Sequence, residues 1–230
     1  NVARLDLDTS RESFGVTSIL ESFNKGEIDI LIGTQMIAKG LDFPNATLVG
    51  IINADLGLYL PDFRAGERIF QLIYQASGRS GRSKKQGEVV IQTYCPDNPV
   101  IKFASSLKIK EYYKIALEER ETLRYPPFSW LAKVEIIGLN KKSVADLTAR
   151  INLQLKYQYS GLQILGPSPC YLEKLRKYYR YQFVFKSEKS IDANGRKLHK
   201  FIISNFKNNE KRFHLGNNRI NIHFDPMSLI

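Results

Sequence analysis

The sequence predicts an α/β lobe on a doubly wound parallel sheet, followed by a smaller α+β unit. Three observations carry this prediction. Short β-rich apolar runs, Ile28–Ile32 and Thr47–Ile52, stand between helical stretches, as in a parallel sheet buried on both faces. Tyr125-Pro-Pro-Phe128 then interrupts the chain, since consecutive prolines cannot continue a helix. Beyond that break the order reads strand, helix, strand, strand, helix, strand (βαββαβ), which suits one sheet with helices on one face. The expected boundaries are 1–104 for the first lobe, 105–124 for a connecting helix and 125–230 for the second unit.

In chain order, Val2–Asp6 reads as a strand and Arg11–Asn24 as a helix with Phe14, Ile19, Leu20 and Phe23 on its apolar side. Gly26 ends that helix. After the strands at 28–32 and 47–52, Glu67–Ser77 is helical and Glu88–Tyr94 is a further strand. The step at Ile32-Gly33-Thr34 lies where such sheets place ligands, beyond the carboxyl ends of their strands. Asp97–Leu123 reads as one or two helices with charge pairs such as Lys114 and Glu118. In the second unit Trp130–Ile137 is a strand, Lys142–Tyr157 a helix and Leu162–Leu165 a short strand. Cys170–Leu175 and Tyr179–Lys186 suggest a hairpin, Ala193–Asn205 a helix and Arg219–Phe224 a last strand.

Composition narrows the function classes. Of 230 residues 43% are hydrophobic and 11% aromatic, so the chain can bury two small cores. No apolar run approaches the ~20 residues of a membrane helix, and no signal-peptide pattern opens the chain. The two cysteines, Cys95 and Cys170, form no C-x-x-C pair, which suits a reduced cytoplasmic setting and supports no zinc site. The net charge of +11 is unevenly placed. Residues 1–100 carry 10 Lys and Arg against 12 Asp and Glu, whereas residues 101–230 carry 24 against 11. The basic half is the candidate for phosphate backbone, with a solvated lysine-rich surface as the plainer alternative.

Two motifs carry chemistry. Gln75-Ala-Ser-Gly-Arg-Ser-Gly-Arg82 can turn tightly and aim two guanidinium forks at one anionic target, a geometry matched to phosphate oxygens. Upstream, Gly33-Thr34-Gln35-Met36-Ile37-Ala38-Lys39-Gly40-Leu41-Asp42-Phe43 follows an apolar run; its glycines permit close backbone approach and Thr34 offers a hydroxyl and an N–H to a phosphate. In the basic half, Lys174, Arg176, Lys177 and Arg180 interleave with Tyr178, Tyr179 and Tyr181 near a hairpin tip. Either the rings stack on unpaired bases while the cations track phosphates, or the rings face the core and the cations are solvated.

Together with Ala54-Asp55-Leu56-Gly57-Leu58 and Pro61-Asp62-Phe63-Arg64-Ala65-Gly66-Glu67-Arg68, the two motifs resemble the second motor lobe of superfamily 2 helicases, and within them the PriA-like replication-restart family. Tyr125–Phe128 and Gly166-Pro-Ser-Pro169 add to the resemblance. It implies a RecA-like lobe 2 followed by a domain resembling ribosomal protein S10. It implies that Arg79 and Arg82 reach the γ-phosphate of ATP, that Gln75 orients the phosphate or the attacking water, and that Gly40 and Asp42 lie on the nucleotide side. For Asp42, contact with the ribose, a tie to the arginines and a solvated turn aspartate all stay open. Thr34, Gln35, Lys39, Lys174, Arg176, Lys177 and Arg180 are the candidate DNA contacts. Arg196 and Lys200, on a basic helix stripe, are candidates for holding the acidic tail of single-stranded DNA-binding protein. Asp62, Arg64, Glu67 and Arg68 read as charge pairs supporting a helix start, with DNA contact open.

The implied partners are branched and single-stranded DNA, that tail and other primosome proteins; the implied cofactors are ATP and Mg2+. The chain has no G-x-x-x-x-G-K-[ST] loop, no D-E-x-H/D motif and no zinc cysteine cluster, and it opens inside a strand-like run. It therefore reads as a piece of a longer protein whose preceding part holds most of the ATP site and any zinc, and the piece alone is expected to be inactive as an ATPase. Two other readings stay open: a non-catalytic nucleic-acid and protein-binding module, and a superfamily 2 RNA helicase fragment.

Overall fold

A computed structural model describes residues 1–5, 13–33, 45–79, 87–156, 158–207 and 213–230. The chain divides into two compact units, one of residues 1–60 and 65–114, the other of residues 61–64 and 115–230.

In the first unit β1 (Val2–Leu5) and β2 (Ile30–Gly33) pair in parallel across α1 (Ser13–Lys25). Gly26 ends α1 with φ +77°. Its N–H bonds Phe23 O at 3.1 Å and the Glu27 N–H bonds Ser22 O at 3.0 Å, the paired closure that a left-handed residue allows. A second parallel pair joins β3 (Leu48–Ile51) and β4 (Glu88–Ile91). Among the described residues these remain two two-stranded sheets. The expected burial on both faces does not hold: Ile30 is 55% exposed and Leu48 60%. Among the described residues neither pair has a third strand beside it, as a larger parallel sheet would.

The core of this unit is helical. Between α2 (Asp55–Leu58) and β4 runs α3 (Ala65–Arg79), which buries Ala65, Ile69, Phe70, Ile73 and Ala76 along one stripe. It packs on α4 (Pro99–Ser105), where Ile101 and Ala104 are buried. Asn98 caps α4 by accepting the Val100 N–H at 2.9 Å, and Pro99 takes the first-turn position that needs no donor. Phe70 stacks on Tyr112 of α5 (Ile109–Thr122) with centroids 3.9 Å apart. An added Cβ on Gly57 would run into the end of the Ile69 side chain, which would have to shift where α2 meets α3.

The second unit is a four-stranded antiparallel sheet of β5 (Ser129–Gly138), β6 (Leu162–Leu175), β7 (Tyr178–Glu188) and β8 (Arg219–Phe224), in the order β6-β7-β5-β8. Its helices are α6 (Lys141–Gln154) and α7 (Arg196–Asn205), which gives the expected βαββαβ sequence of elements. Ala132, Val134 and Ile136 of β5 and Phe183 and Phe185 of β7 share one sheet face. They close a core with Val144, Leu147 and Ile151 of α6 and Leu198, Phe201 and Ile202 of α7. The two strands predicted at 162–165 and 170–175 are one strand with two irregularities. Its Pro167 and Pro169 are tolerated because β6 is the edge of the sheet.

Candidate nucleotide and nucleic-acid sites

Helix α3 carries the arginine motif further than the sequence suggested. Gln75 through Arg79 lie inside the helix rather than in a turn. The tight turn expected between the two arginines falls on Ser80 and Gly81, which lie outside the described residues. Gln75 is exposed, and Arg79 follows it by four residues as the last residue of the helix. Arg79 closes the helix, where the macrodipole favours a cation and offers nothing to an anion. Thr34, Gln35, Lys39, Gly40, Asp42 and Arg82 lie outside the described residues.

The Ala54–Leu58 segment is fixed in the first unit by a buried carboxylate. Asp55 accepts from the Thr93 hydroxyl at 2.8 Å and the Tyr94 N–H at 2.9 Å. That backbone donor, against the desolvation of the site, holds the Asp55 carboxyl below its usual value. Tyr59 and Cys95 lie 3.0 Å apart, hydroxyl to thiol.

Residues 61–64 are part of the second unit. Asp62, 8% exposed, accepts from the Arg64 N–H at 2.9 Å, from the Ser228 hydroxyl and from the Leu229 N–H at 3.2 Å. Phe63 stacks on Tyr125 at 5.1 Å and 7°, with Arg120 over the outer ring at 5.4 Å and Lys186 over Tyr125 at 3.5 Å. Burial, with Asp62 nearby, raises the Tyr125 hydroxyl above its usual value. Besides its local bond to Arg64, Asp62 is tied to residues 228 and 229, 166 positions along the chain for Ser228. No local spacing could reveal it.

The hairpin between β6 and β7 turns at Arg176-Lys177, with Arg176 at φ +56°. Lys174, Arg176 and Lys177 are exposed. Lys174 lies 5.1 Å over the Tyr179 ring and Lys177 5.7 Å over Tyr178, where Arg219 also sits at 5.0 Å. Tyr179 and Tyr181 pack against the core, whereas Tyr178 is held among these cations on the other parity. Arg180 differs from its neighbours. Its guanidinium bonds Glu135 Oε1 at 2.6 Å, and Lys133 Nζ meets the same oxygen at 3.0 Å. His223 Nε2 stands 3.7 Å from Glu135 Oε2. Burial pushes the Glu135 carboxyl up, but hydrogen bonds and charge from Lys133 and Arg180 outweigh it and leave it below the usual range. Cys170, beside this cluster, is pushed up to about 11 by burial and by the Glu135 charge. Sequence reasoning missed Glu135. The available signal was two charged residues, Lys133 and Glu135, on alternate positions of an otherwise apolar strand.

On α7, Arg196, Lys197 and Lys200 are exposed. The helix N-terminus is already satisfied, since Asp192 accepts from Lys197 N at 3.1 Å, Leu198 N at 2.9 Å and the Ser187 hydroxyl at 3.1 Å. Beside it lies a groove of about 330 Å³ lined by Trp130, Arg196, His199, Lys200 and Phe224 among others. His199 stacks on Phe224 at 4.8 Å, and Lys189 caps the Trp130 ring at 4.2 Å. Among the described residues no group of His, Cys, Asp and Glu could hold a metal, and no helix is long and apolar enough to cross a membrane.

Residues 1–84 match the family model of the helicase conserved C-terminal domain, and residues 121–227 that of the primosomal protein N C-terminal domain. Replication restart protein PriA of Bacillus subtilis is 37% identical over 230 residues, covering 100% of this chain and 28% of that protein. The protein of the same name from Chlamydia pneumoniae is 42% identical over 197 residues, 85% of this chain and 26% of the relative. That from Synechocystis is 38% identical over 184 residues, 80% and 22% respectively. The chain therefore spans about a quarter of the length of these relatives.

Proposed function

Because the chain belongs to the PriA family as its C-terminal part, we propose that it is the second motor lobe and C-terminal domain of an ATP-dependent 3′-to-5′ DNA helicase that restarts replication at stalled or branched forks. One observation supports the mechanism: α3 runs through to Arg79, four residues after the exposed Gln75, in a helix whose apolar stripe is buried. In this reading Arg79 and Arg82 stabilise charge on the transferring phosphoryl group, and Gln75 orients the phosphate or water. Gly40 and Asp42 complete this lobe's share of the nucleotide site, and Thr34, Gln35 and Lys39 follow the DNA strand. Magnesium and most ATP contacts belong to a phosphate-loop lobe, and zinc to another part of the full-length protein. The setting is cytoplasmic.

The C-terminal domain binds DNA through Lys174, Arg176 and Lys177 in this proposal. Their exposure at a hairpin tip supports it. Arg180 is left out, since Glu135 already holds its guanidinium. The βαββαβ order with helices on one face supports the S10-like assignment. The cationic rim of the α7 groove supports Arg196 and Lys200 as contacts for an acidic partner tail.

The test uses the full-length protein. Arg79→Ala or Arg82→Ala is expected to cut DNA-stimulated ATP turnover by about a thousandfold or more while DNA binding persists. A second reading, a passive binding module, is favoured by the exposed hairpin cations. Under it neither arginine change alters turnover, whereas neutralising Lys174, Arg176 and Lys177 weakens binding and flattens its salt dependence.

A further inference from the structure

The groove beside α7, wholly within the second unit, combines three kinds of side chain. Its rim is cationic. Arg196 and Lys200 stand four residues apart on one helix face, and both are exposed. Arg124, Lys141 and Arg180 are each paired with a glutamate, whereas among the described residues no carboxylate pairs with Arg196 or Lys200. The helix N-terminus takes no part, because Asp192 already accepts N–H groups there. Inside the rim the groove is aromatic. His199 lies on Phe224 with ring centroids 4.8 Å apart and 28° between planes; His199 is exposed and Phe224 39% exposed. The Trp130 ring is fixed by its indole N–H, which donates to Asp192 O at 2.9 Å. The third kind is an acceptor. Asp225 lines the same groove, and its Oδ1 takes the Leu131 N–H at 3.2 Å, which leaves the second carboxylate oxygen to accept.

The rim calls for a polyanion, the rings for a flat group, and Asp225 for a donor. An acidic peptide meets the rim, but its carboxylates inside the groove would face the Asp225 charge. A neutral base carrying amino or ring N–H groups meets all three. We infer that this groove is a base pocket for unpaired DNA: one base stacks on the His199–Phe224 pair, its donors face Asp225, and the flanking phosphates lie on Arg196 and Lys200. The volume of about 330 Å³ is at the small end of ligand pockets and suits a single base. A base inside a duplex is already stacked and paired, so the pocket selects single strand over duplex. The inference rests on the reading that the C-terminal domain binds DNA, and adds to the hairpin cations a contact that holds bases rather than backbone. Because Arg196 and Lys200 serve both ligands, an acidic tail and an unpaired strand exclude each other on this rim.

The experiment uses the full-length protein with three probes: an oligothymidylate, an abasic strand of the same length, and a duplex. Affinity is read by fluorescence anisotropy over a salt series, and the contact by photocrosslinking a strand that carries an iodouracil base. The expected crosslinks fall on His199, Phe224 or Trp130. His199→Ala weakens the base-bearing strand by about fivefold or more, with the abasic strand and the duplex within about twofold and the salt slope unchanged. His199→Phe keeps a ring and stays within about twofold of the parent. The Arg196→Ala/Lys200→Ala pair instead lowers the salt slope for the unpaired strand by about 1.4, the loss of two phosphate contacts. Crosslinks confined to other residues, or an equal effect of His199→Ala on the abasic strand, would overturn the inference. So would groove variants that weaken an acidic peptide and leave the unpaired strand untouched, which would make the groove a peptide site. The Lys174→Ala/Arg176→Ala/Lys177→Ala variant separates the two readings. If it weakens DNA binding while His199→Ala does not, only the base pocket falls; if neither does, DNA binding by this domain falls and the pocket with it.

Discussion

Substituting Glu135 by Gln tests the electrostatics of the second unit. The Glu135 side chain is 7% exposed and its carboxylate faces Lys133, 5% exposed, and Arg180, 14% exposed, at 3.0 and 2.6 Å. Removing the anion leaves two cations buried without compensation. Breaking a buried pair this way costs about 3–5 kcal/mol. At about 4 °C per kcal/mol for a unit of this size, the midpoint falls by roughly 12–20 °C. Thermal unfolding followed by circular dichroism, with Cys170→Ser as a neighbouring control, reads it. Because the folded carboxyl titrates below its usual value, the unfolded chain takes up protons first as pH falls. Glu135 therefore stabilises fully above the unfolded carboxyl value near ~4.3, and that contribution disappears as pH drops through the folded value. The variant should accordingly show a flatter acid limb than the parent. A loss under about 1 kcal/mol, or an unchanged acid limb, would mean that the cluster is solvated and the reasoning fails.

Asp192→Ala removes the acceptor for Lys197 N, Leu198 N and the Ser187 hydroxyl, and should cost about 2 kcal/mol in urea titrations with unchanged slope. Phe185→Ala opens the core between the sheet and α7 and should cost about 3–5 kcal/mol by the same measurement. Gly166→Ala forces a side chain onto φ +102° with its Cβ 2.7 Å from the Gln182 carbonyl oxygen, so it should lower stability by about 1–3 kcal/mol.

The order of elements in the second unit was legible because alternation, prolines and capping residues act locally. Asn140 accepting the Ser143 N–H at 3.0 Å is one such local signal; in the first unit, Gly26 at the end of α1 is another. The continuity of β6 was not legible: Gly166-Pro-Ser-Pro169 reads as a break, and only its place at the sheet edge makes it tolerable. The same limit applies to Arg180. In the sequence it is one of several cations beside tyrosines, yet strand pairing sets it next to β5, where Glu135 takes its guanidinium. Asp62 also bonds Ser228 and the Leu229 N–H, partners too far along the chain for local spacing to indicate. The helix through Arg79 was half legible, since the apolar stripe is local but glycine and serine near its end argue against it. Long-range pairing decides each of these cases, and no periodicity encodes it.

The central claim is that this chain supplies arginines to an ATP site completed by another lobe. It is tested most directly by assaying the purified 230-residue chain for DNA-stimulated ATP hydrolysis, after cooperative unfolding and salt-dependent DNA binding have shown it to be folded. The account predicts DNA binding with no turnover above the blank. Sustained DNA-stimulated turnover by that folded chain would contradict it.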